Sequence, residues 1–336
     1  MARGRLHRRL FPDRGDGRAI VRGDRGRPVY RARHAAARGA RRAARTWSAA
    51  LVTAPLAHVI GDPIAQSKSP AIHRFWLEKL GLDGEYDRHL VTAEGLADYL
   101  AEFREHPGWI GCNVTMPHKQ AIMPLLDTLD PLAAQIGAVN TVVKLADGSL
   151  AGFNTDAGGF LEPLTNALAN RHLFRMARIL GTGGAARAII AALAQQGFTL
   201  VVAGRDPAKA RALLDELAPK GEHHAIALDH FADSTDFAFD DREGCFDLVV
   251  NASPLGMRGN PPLAFDLTHA PPGSIFYDIV TSPADTPLLI EAREAGHETV
   301  GGLAMLIGQA AIAFEKFYGC PPPREHDAEL MELLTQ

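Results

Sequence analysis

The stretch RILGTGGAARAIIAALAQQGFTLVVAGR, residues 178–205, decides the fold class of this chain. It starts with a short apolar run and then reaches a glycine cluster at 181–186. Apolar residues next recur at helical spacing over 188–193, and Gly197 ends that pattern before the strand-like run 199–202. Strand, helix and strand in this order predict a βαβ unit within a parallel sheet.

The glycine cluster has the form Gly181-x-Gly183-x-x-Ala186, which predicts a dinucleotide-binding turn. In such a turn the first glycine allows the tight bend, the second lets the backbone approach a pyrophosphate, and the helix N-terminus supplies N–H donors. A purely structural turn also uses glycine, but the intact βαβ unit favours the dinucleotide site. The predicted cofactor-binding residues are Gly181, Gly183, Gly184, Ala185 and Ala186, joined by Arg205, Lys209, Ile279 and Gly302.

The end of the second strand favours NADP as the cofactor. NAD-binding proteins usually place Asp or Glu there, about 20 residues after the turn, to hold the ribose 2′-hydroxyl. Here Arg205 occupies the strand end, where its guanidinium would pair with a 2′-phosphate, and Lys209 would add charge one turn later. Both could instead be solvated residues at a helix start, and Asp206 beside them leaves NAD open.

The rest of the chain fits an α/β fold with two domains. Strand-like runs at 246–250 and 274–278 extend the parallel sheet. We therefore predict a Rossmann-type NADP-binding domain over residues 156–301. The α/β substrate-binding domain is predicted to combine residues 52–155 with 302–336, and the site is expected in the cleft between the two domains.

Turn and breaker residues divide the first half of the chain into smaller elements. Ser69 suits the N-cap of a helix, because a proline and helical spacing of apolar residues follow it. The strand-like run 109–115 is followed by a helical stretch from about Lys119. Asp147-Gly148 is a strong hairpin signal, and a further helical pattern runs from residue 159 to 168.

Polar residues collect at the strand ends and turns of this half. They form three clusters: Ser67 with Ser69, Asn113 with Thr115 and Lys119, and Asn140 with Asp156. Hydroxyls can hold a carboxylate, amides can hold ring hydroxyls, and a Lys–carboxylate pair can move a proton. The mixture predicts a small polyhydroxylated acid as substrate, although each residue alone could be a surface lysine, a helix cap or a turn former.

Four strings in these clusters resemble the signatures of shikimate dehydrogenases. They are GDPIAQSKSP at 61–70, NVTMPHK at 113–119, GAVNT at 137–141 and NTD at 154–156, followed by GLAML at 302–306 and by Gln309. The strings occur in family order, and the resemblance extends from about residue 57 to the C-terminus.

The resemblance implies reversible, NADPH-dependent reduction of 3-dehydroshikimate to shikimate, a step of chorismate and aromatic amino acid biosynthesis. It implies that Lys119 is the acid/base group and that Asp156 orients it and polarises the reacting oxygen. The residues that it implies for substrate binding are Ser67 and Ser69 at the carboxylate, and Asn113, Thr115, Asn140, Asp156 and Gln309 at the ring hydroxyls. His118, beside Lys119, is expected to be a scaffold or rim residue.

One position departs from the family pattern. Many family members carry Tyr where this chain has Thr281, and that side chain is expected to touch the substrate carboxylate. Threonine keeps a hydroxyl but has less reach, so we expect a higher KM or an altered substrate preference. Ala157 also replaces a glycine that is common after the catalytic aspartate, with no consequence that we can argue.

Charge is unevenly distributed along the 336 residues. Residues 1–45 hold 15 arginines and three acidic residues, which leaves 20 basic against 36 acidic residues in the rest. The Arg-rich stretch, to residue 51, is predicted to be disordered; a mis-assigned start codon is favoured over a nucleic-acid-binding arm or a transit peptide. The acidic body offers no electrostatic footprint for nucleic acid, and no apolar run is long enough for a membrane span.

The cysteines and histidines indicate the cellular location and whether a metal is expected. Three separated cysteines favour a reducing cytoplasm, and the histidines lack metal-ligand spacing, so no metal is expected. A small-molecule substrate is the expected partner, with a monomer or a homodimer both open. The alternatives are a quinate/shikimate dehydrogenase with NAD, an aminoshikimate-type dehydrogenase, and a dinucleotide-sensing regulator, which would be expected to lose Lys119 or Asp156.

Overall fold

The computed structural model describes residues 54–239 and 242–336. The predicted disorder of residues 1–51 therefore lies outside the described residues. Within the described residues the chain forms two six-stranded sheets, each flanked by helices. The prediction of an α/β fold is confirmed.

The first sheet is mixed. Its strands are β1 (Leu56–Gly61), β2 (Glu85–Leu90), β3 (Trp109–Val114), β4 (Thr128–Leu129), β5 (Thr141–Lys144) and β6 (Leu150–Phe153). They lie in the order β2-β1-β3-β5-β6-β4, with β1 parallel to both neighbours and β5 antiparallel to β3 and β6. The antiparallel β5–β6 pair is the hairpin that Asp147-Gly148 predicts, and Gly148 adopts a φ of 82° in its turn.

The second sheet is parallel throughout. Its strands are β7 (Phe174–Leu180), β8 (Thr199–Gly204), β9 (His224–Ala227), β10 (Cys245–Asn251), β11 (Ile275–Asp278) and β12 (Glu298–Gly301). The order β9-β8-β7-β10-β11-β12 is the 3-2-1-4-5-6 arrangement of a doubly wound nucleotide-binding sheet. Helices cover both faces, so Ile179 packs into one apolar cluster and its neighbour Leu180 into the other.

Ten α-helices lie in the described part of the chain. They are α1 (Ser69–Leu80), α2 (Leu96–Glu105), α3 (Pro131–Ile136), α4 (Asp156–Leu161), α5 (Thr165–Ala169), α6 (Gly184–Gln195), α7 (Pro207–Leu217), α8 (Pro287–Glu294), α9 (Gly302–Tyr318) and α10 (Asp327–Thr335). Helix α9 follows the second sheet but packs against α1 of the first, through Ile307 and Phe314 on α9 and Trp76 on α1. The end of the chain thereby returns to the first sheet.

Three local predictions need correction. Helix α1 begins at Ser69 itself, with Lys68 at the N-cap position and no side-chain capping bond. The segment from Lys119 forms turns and a short 3-10 helix, Met123–Leu125, because the proline at 124 has no N–H for a helical hydrogen bond. The pattern at 159–168 starts earlier, at Asp156, and a 3-10 turn that contains Pro163 divides it into α4 and α5.

Candidate active site

Lys119 and Asp156 form a mostly buried ion pair. The Lys119 ammonium donates to Oδ2 of Asp156 at 2.5 Å, and their side chains are only 16% and 7% exposed. Lys119 lies in the turn after β3, where its carbonyl accepts from the N–H of Val139 at 2.8 Å. Asp156 is the first residue of α4, and the side chain of Asn154 accepts from its N–H at 3.1 Å. Hydrogen bonds of the backbone at Lys119 and at Asp156 thus fix the positions from which the two side chains meet.

Asn140 holds the second oxygen of the carboxylate. Its Nδ2 donates to Oδ1 of Asp156 at 2.8 Å and to Oγ1 of Thr155 at 2.9 Å. Its Oδ1 accepts from the backbone N–H of Thr155 at 2.8 Å. A backbone N–H can only donate, so the orientation of the Asn140 amide follows from the network.

A line of hydrogen bonds continues from Asn140 to the far side of the first sheet. Thr141 donates to Oδ1 of Asn140 at 3.0 Å, Asn113 donates to Thr141 at 3.0 Å, and the Tyr86 hydroxyl donates to Oδ1 of Asn113 at 2.6 Å. We call the set Tyr86, Asn113, Thr141, Asn140, Asp156 and Lys119 the hydrogen-bonded line. It joins the cluster of Asn113 and Lys119 to that of Asn140 and Asp156, whose members lie up to 43 residues apart in the sequence.

Tyr86 connects this line to the serine cluster. Burial raises the pKa of Tyr86 well above its usual value, and the nearby Ser69 side chain has a smaller, lowering effect. Its ring stacks on that of His73 with centroids 3.9 Å apart. Burial lowers the pKa of His73 to about 3, so both stacked rings are neutral around pH 7.

Gln309 approaches the line from α9. Its Oε1 accepts from the Thr155 hydroxyl at 3.3 Å. This contact requires α4 and α9 to lie close together, and glycines permit it: a Cβ on Gly159 would lie 2.4 Å from the backbone nitrogen of Gln309, and one on Gly308 would lie 3.1 Å from Gly159. Because Gly159 and Gly308 have no side chains, α9 can lie close enough to α4 for Gln309 to reach Thr155.

Three other predicted substrate residues are not members of the line. The Ser67 hydroxyl accepts from the N–H of Ser69 at 3.4 Å. Thr115 packs against Gly61, where a Cβ would lie 2.5 Å from its methyl group. Thr281 is half-buried. Among the hydrogen bonds of the described residues, Ser67, Thr115 and Thr281 make none to the line; His118 is fully buried and its ring bonds the Val91 carbonyl at 2.7 Å.

The glycine turn after β7 borders Lys119. Gly181 has a φ of +133° and a Cβ there would lie 2.5 Å from the Ala252 carbonyl oxygen, so both backbone and space require glycine. Gly183 faces open space, with no neighbouring heavy atom within 4 Å of its Cβ position. A Cβ on Gly184 would lie 3.8 Å from Cδ of Lys119. An anion at the start of α6 would therefore sit next to the ion pair, and the turn fits a pyrophosphate.

Arg205 lines a cavity of about 380 Å³ at the ends of β8 and β9. Leu228, Asp229, Leu255 and Leu263 form other parts of its wall. The carboxylate of Asp206 caps α7 by accepting from the N–H groups of Ala208 at 2.9 Å and Lys209 at 3.4 Å. Asp206 is thus engaged with its own helix, while the exposed side chains of Arg205 and Lys209 can reach a phosphate.

Ile279 and Gly302 meet at the end of the second sheet. A Cβ on Gly302 would lie 2.4 Å from the carbonyl oxygens of Ile279 and Val280, so glycine lets α9 start against that segment. The fully buried Asp278 fixes the same segment by accepting from the Val280 N–H at 2.9 Å and the Thr286 hydroxyl at 2.7 Å. Burial raises the pKa of Asp278.

Sequence reasoning missed several residues of this region. Thr141 and Thr155 stand beside named residues in the motif strings, so their position was a usable signal. Tyr86 gave none, because its strand β2, EYDRHL, has a largely exposed and polar pattern. In residues 54–239 and 242–336 no group of three or more His, Cys, Asp or Glu side chains is arranged to hold a metal ion, and no helix there is long and apolar enough to cross a membrane.

Comparisons with known proteins identify relatives over nearly all of the described chain. Residues 59–142 match the family "Shikimate dehydrogenase substrate binding domain", and residues 302–332 match "Shikimate 5'-dehydrogenase C-terminal domain". A shikimate dehydrogenase (NADP(+)) of Sphingopyxis alaskensis is 50% identical over 283 residues, which cover 84% of this chain and 97% of that protein.

Two solved structures have the same fold. A shikimate dehydrogenase in complex with NADP+ is 31% identical with a TM-score of 0.74, over 85% of this chain and 99% of that one. The shikimate 5-dehydrogenase of Thermus thermophilus, in complex with NADP(H) and shikimate, is 35% identical with a TM-score of 0.68, over 83% and 99%.

The close approach of α4 and α9 can be tested with two adjacent glycines. Gly159→Ala should lower the free energy of unfolding by about 1–3 kcal/mol, because its Cβ meets backbone atoms of Gln309 that cannot move alone. Gly158→Ala is the matched control, since its Cβ meets only the movable end of Ile312. Urea unfolding of both variants measures the difference, and equal stabilities would contradict the packing argument.

Proposed function

The chain belongs to the shikimate dehydrogenase family, and we propose that it catalyses the reversible, NADPH-dependent reduction of 3-dehydroshikimate to shikimate, a step of chorismate and aromatic amino acid biosynthesis. The single observation that carries the proposal is the Lys119–Asp156 pair beside Gly184 of the nucleotide turn. A proton donor and the cofactor turn are thereby adjacent, as reduction of a carbonyl requires.

The cofactor and the substrate use different parts of this site. Gly181, Gly183, Gly184, Ala185 and Ala186 would hold the pyrophosphate, Arg205 and Lys209 the 2′-phosphate, and Ile279 with Gly302 complete the cofactor-binding set. Ser67 and Ser69, with Thr281, would hold the substrate carboxylate. Asn113, Thr115, Asn140, Asp156 and Gln309 would hold the ring hydroxyls.

The chemistry divides between the cofactor and Lys119. When bound, NADPH supplies the hydride that reduces the C=O carbon. The Lys119 ammonium donates a proton to the oxygen as negative charge develops there, and in the reverse direction its neutral amine accepts that proton. Asp156 keeps the ammonium in place, and Asn140 holds Asp156 through its second oxygen. Both oxygens of the Asp156 carboxylate are therefore engaged, which fixes the orientation of its side chain.

We further propose that the enzyme acts in the cytoplasm, as a monomer or a homodimer. All three cysteines lie in the described residues and are unpaired thiols, with Cys112 buried. A reducing compartment keeps such thiols free. The substrate-binding domain is proposed to comprise residues 52–155 and 302–336, and the NADP-binding domain residues 156–301, in line with the division of the strands between the two sheets.

Initial rates with shikimate or quinate, each with NADP or NAD, test the assignment directly. Shikimate with NADP should give the highest kcat/KM. Arg205→Gln should lower the kcat/KM for NADP about tenfold and leave that for NAD within about twofold, because only NADP carries the phosphate that the guanidinium pairs with. Arg211→Gln, an exposed arginine on α7, is the control. Equal losses with both cofactors would remove Arg205 from the phosphate site.

Lys119→Met should lower kcat by about 10²–10⁴-fold, because methionine keeps the length of the side chain but has no proton to give. The dissociation constant of NADP+ should change by less than about twofold. Lys220→Met, at an exposed position, is the matched control. A Lys119→Met enzyme that kept half of the parent kcat would overturn the proposed acid/base role.

Thr281→Tyr should lower the KM for shikimate by about 3–10-fold, because the longer side chain brings its hydroxyl within reach of the carboxylate. Thr281→Val should raise this KM instead, since it removes the hydroxyl and keeps the shape. Steady-state kinetics of the three enzymes decide the question, and a tyrosine variant no better than the parent would contradict it.

A further inference from the structure

Helix α6 has a second role besides carrying the nucleotide turn. Its N-terminus holds Gly184, Ala185 and Ala186, while one of its faces packs against the segment that leads to Asn140. This face is built from alanines, and its members and neighbours are Ala188, Ala191, Ala192, Ile136, Ala138 and Ala157. Small side chains allow the close approach, so the position of α6 bears directly on the backbone around the site.

Arg187 is the polar contact of this interface. It is 8% exposed and follows the nucleotide turn directly. Its Nε donates to the carbonyl oxygen of Ile136 at 2.7 Å, and its two Nη atoms bind the carboxylate of Glu216 on α7, Nη1 at 3.0 Å. Gly137 leaves room for it, since a Cβ there would lie 2.5 Å from Nη2.

The Ile136 carbonyl is a sensitive point of attachment. It lies at the C-terminal end of α3, where carbonyl groups lack helical partners and a cation is favourable. Three residues later Val139 donates to the carbonyl of Lys119 at 2.8 Å, and the next residue is Asn140. Arg187 thus holds the backbone at Ile136, four residues before Asn140. The same segment contacts Lys119 through the backbone hydrogen bond of Val139.

We propose that Arg187 is a positioning residue that couples the cofactor-binding helix to the substrate ligands. An anion bound at the start of α6 would fix the position of the helix. Through its hydrogen bond to the Ile136 carbonyl, Arg187 would then fix the segment that carries Asn140 and contacts Lys119. Binding of the cofactor and of shikimate should then reinforce each other, by a factor that Arg187 sets. The inference rests on the proposed function for the identity of the two ligands.

Binding measurements test this coupling apart from turnover. Shikimate is titrated by calorimetry into the enzyme alone and into the enzyme saturated with NADPH, a pair of reduced ligands that cannot react. The parent should bind shikimate at least about fivefold more tightly when NADPH is present. In Arg187→Met this factor should fall below about twofold and kcat should fall about tenfold, while the dissociation constant of NADPH measured without shikimate should change less than about twofold.

Further variants separate positioning from stability. Arg187→Lys keeps a donor for the Ile136 carbonyl and should restore part of the coupling; it also serves if the methionine variant does not fold. Arg211→Met, an exposed arginine on α7, should retain the parent factor. A merely structural Arg187 would lower Tm and leave the coupling and kcat unchanged well below Tm.

Three results are distinguishable. A parent enzyme without dehydrogenase activity on shikimate would contradict the proposed function. An active parent without coupling, or Arg187 variants that keep the parent coupling and kcat, overturn only the positioning role.

Discussion

The orientation of the Asn140 side chain is the constraint on which the site depends. A backbone N–H of Thr155 claims its carbonyl oxygen, so its amide hydrogens have to face Asp156 and the Thr155 hydroxyl. Without that amide, one oxygen of a nearly buried carboxylate would have no donor, which is costly in a low-dielectric interior. The hydrogen bond from the Thr155 N–H to Asn140 also joins the start of β5 to the start of α4, so the residue that holds the Asp156 carboxylate holds the hairpin and the helix together.

Glycines set how closely the segments around the site can approach one another. Gly302 lets α9 start against Ile279, and Gly159 lets α4 approach Gln309, whereas a Cβ at Gly184 would make an ordinary van der Waals contact of 3.8 Å with Lys119. At Gly302 and Gly159 a Cβ would lie 2.4 Å from neighbouring backbone atoms, so a side chain would force the two segments apart. Glycine is costly within helices, so its presence at these contacts is explained by proximity and not by helix stability.

The sequence predicted the elements whose signals are local. The βαβ unit over 178–205 and the hairpin at Asp147-Gly148 have strong periodicity and turn chemistry, and both are confirmed. The predicted helix from Lys119 is wrong because Pro124 interrupts helical bonding soon after it, and this proline is itself a local signal. Tyr86 could not be found, because its polar edge strand shows no buried pattern and its partner Asn113 is 27 residues away. The roles assigned to individual site residues stay predictions.

The charges along the hydrogen-bonded line explain why we propose proton transfer at one end of it. Asn113, Asn140 and Thr141 do not titrate, and burial keeps Tyr86 protonated. His73, under the Tyr86 ring, is neutral because burial lowers its pKa to about 3. The far end can therefore fix directions of hydrogen bonds but cannot take up or release a proton near neutral pH. Lys119 is the cationic member of the line, and it lies at the end that borders the nucleotide turn, where hydride transfer would generate the charge that it neutralises.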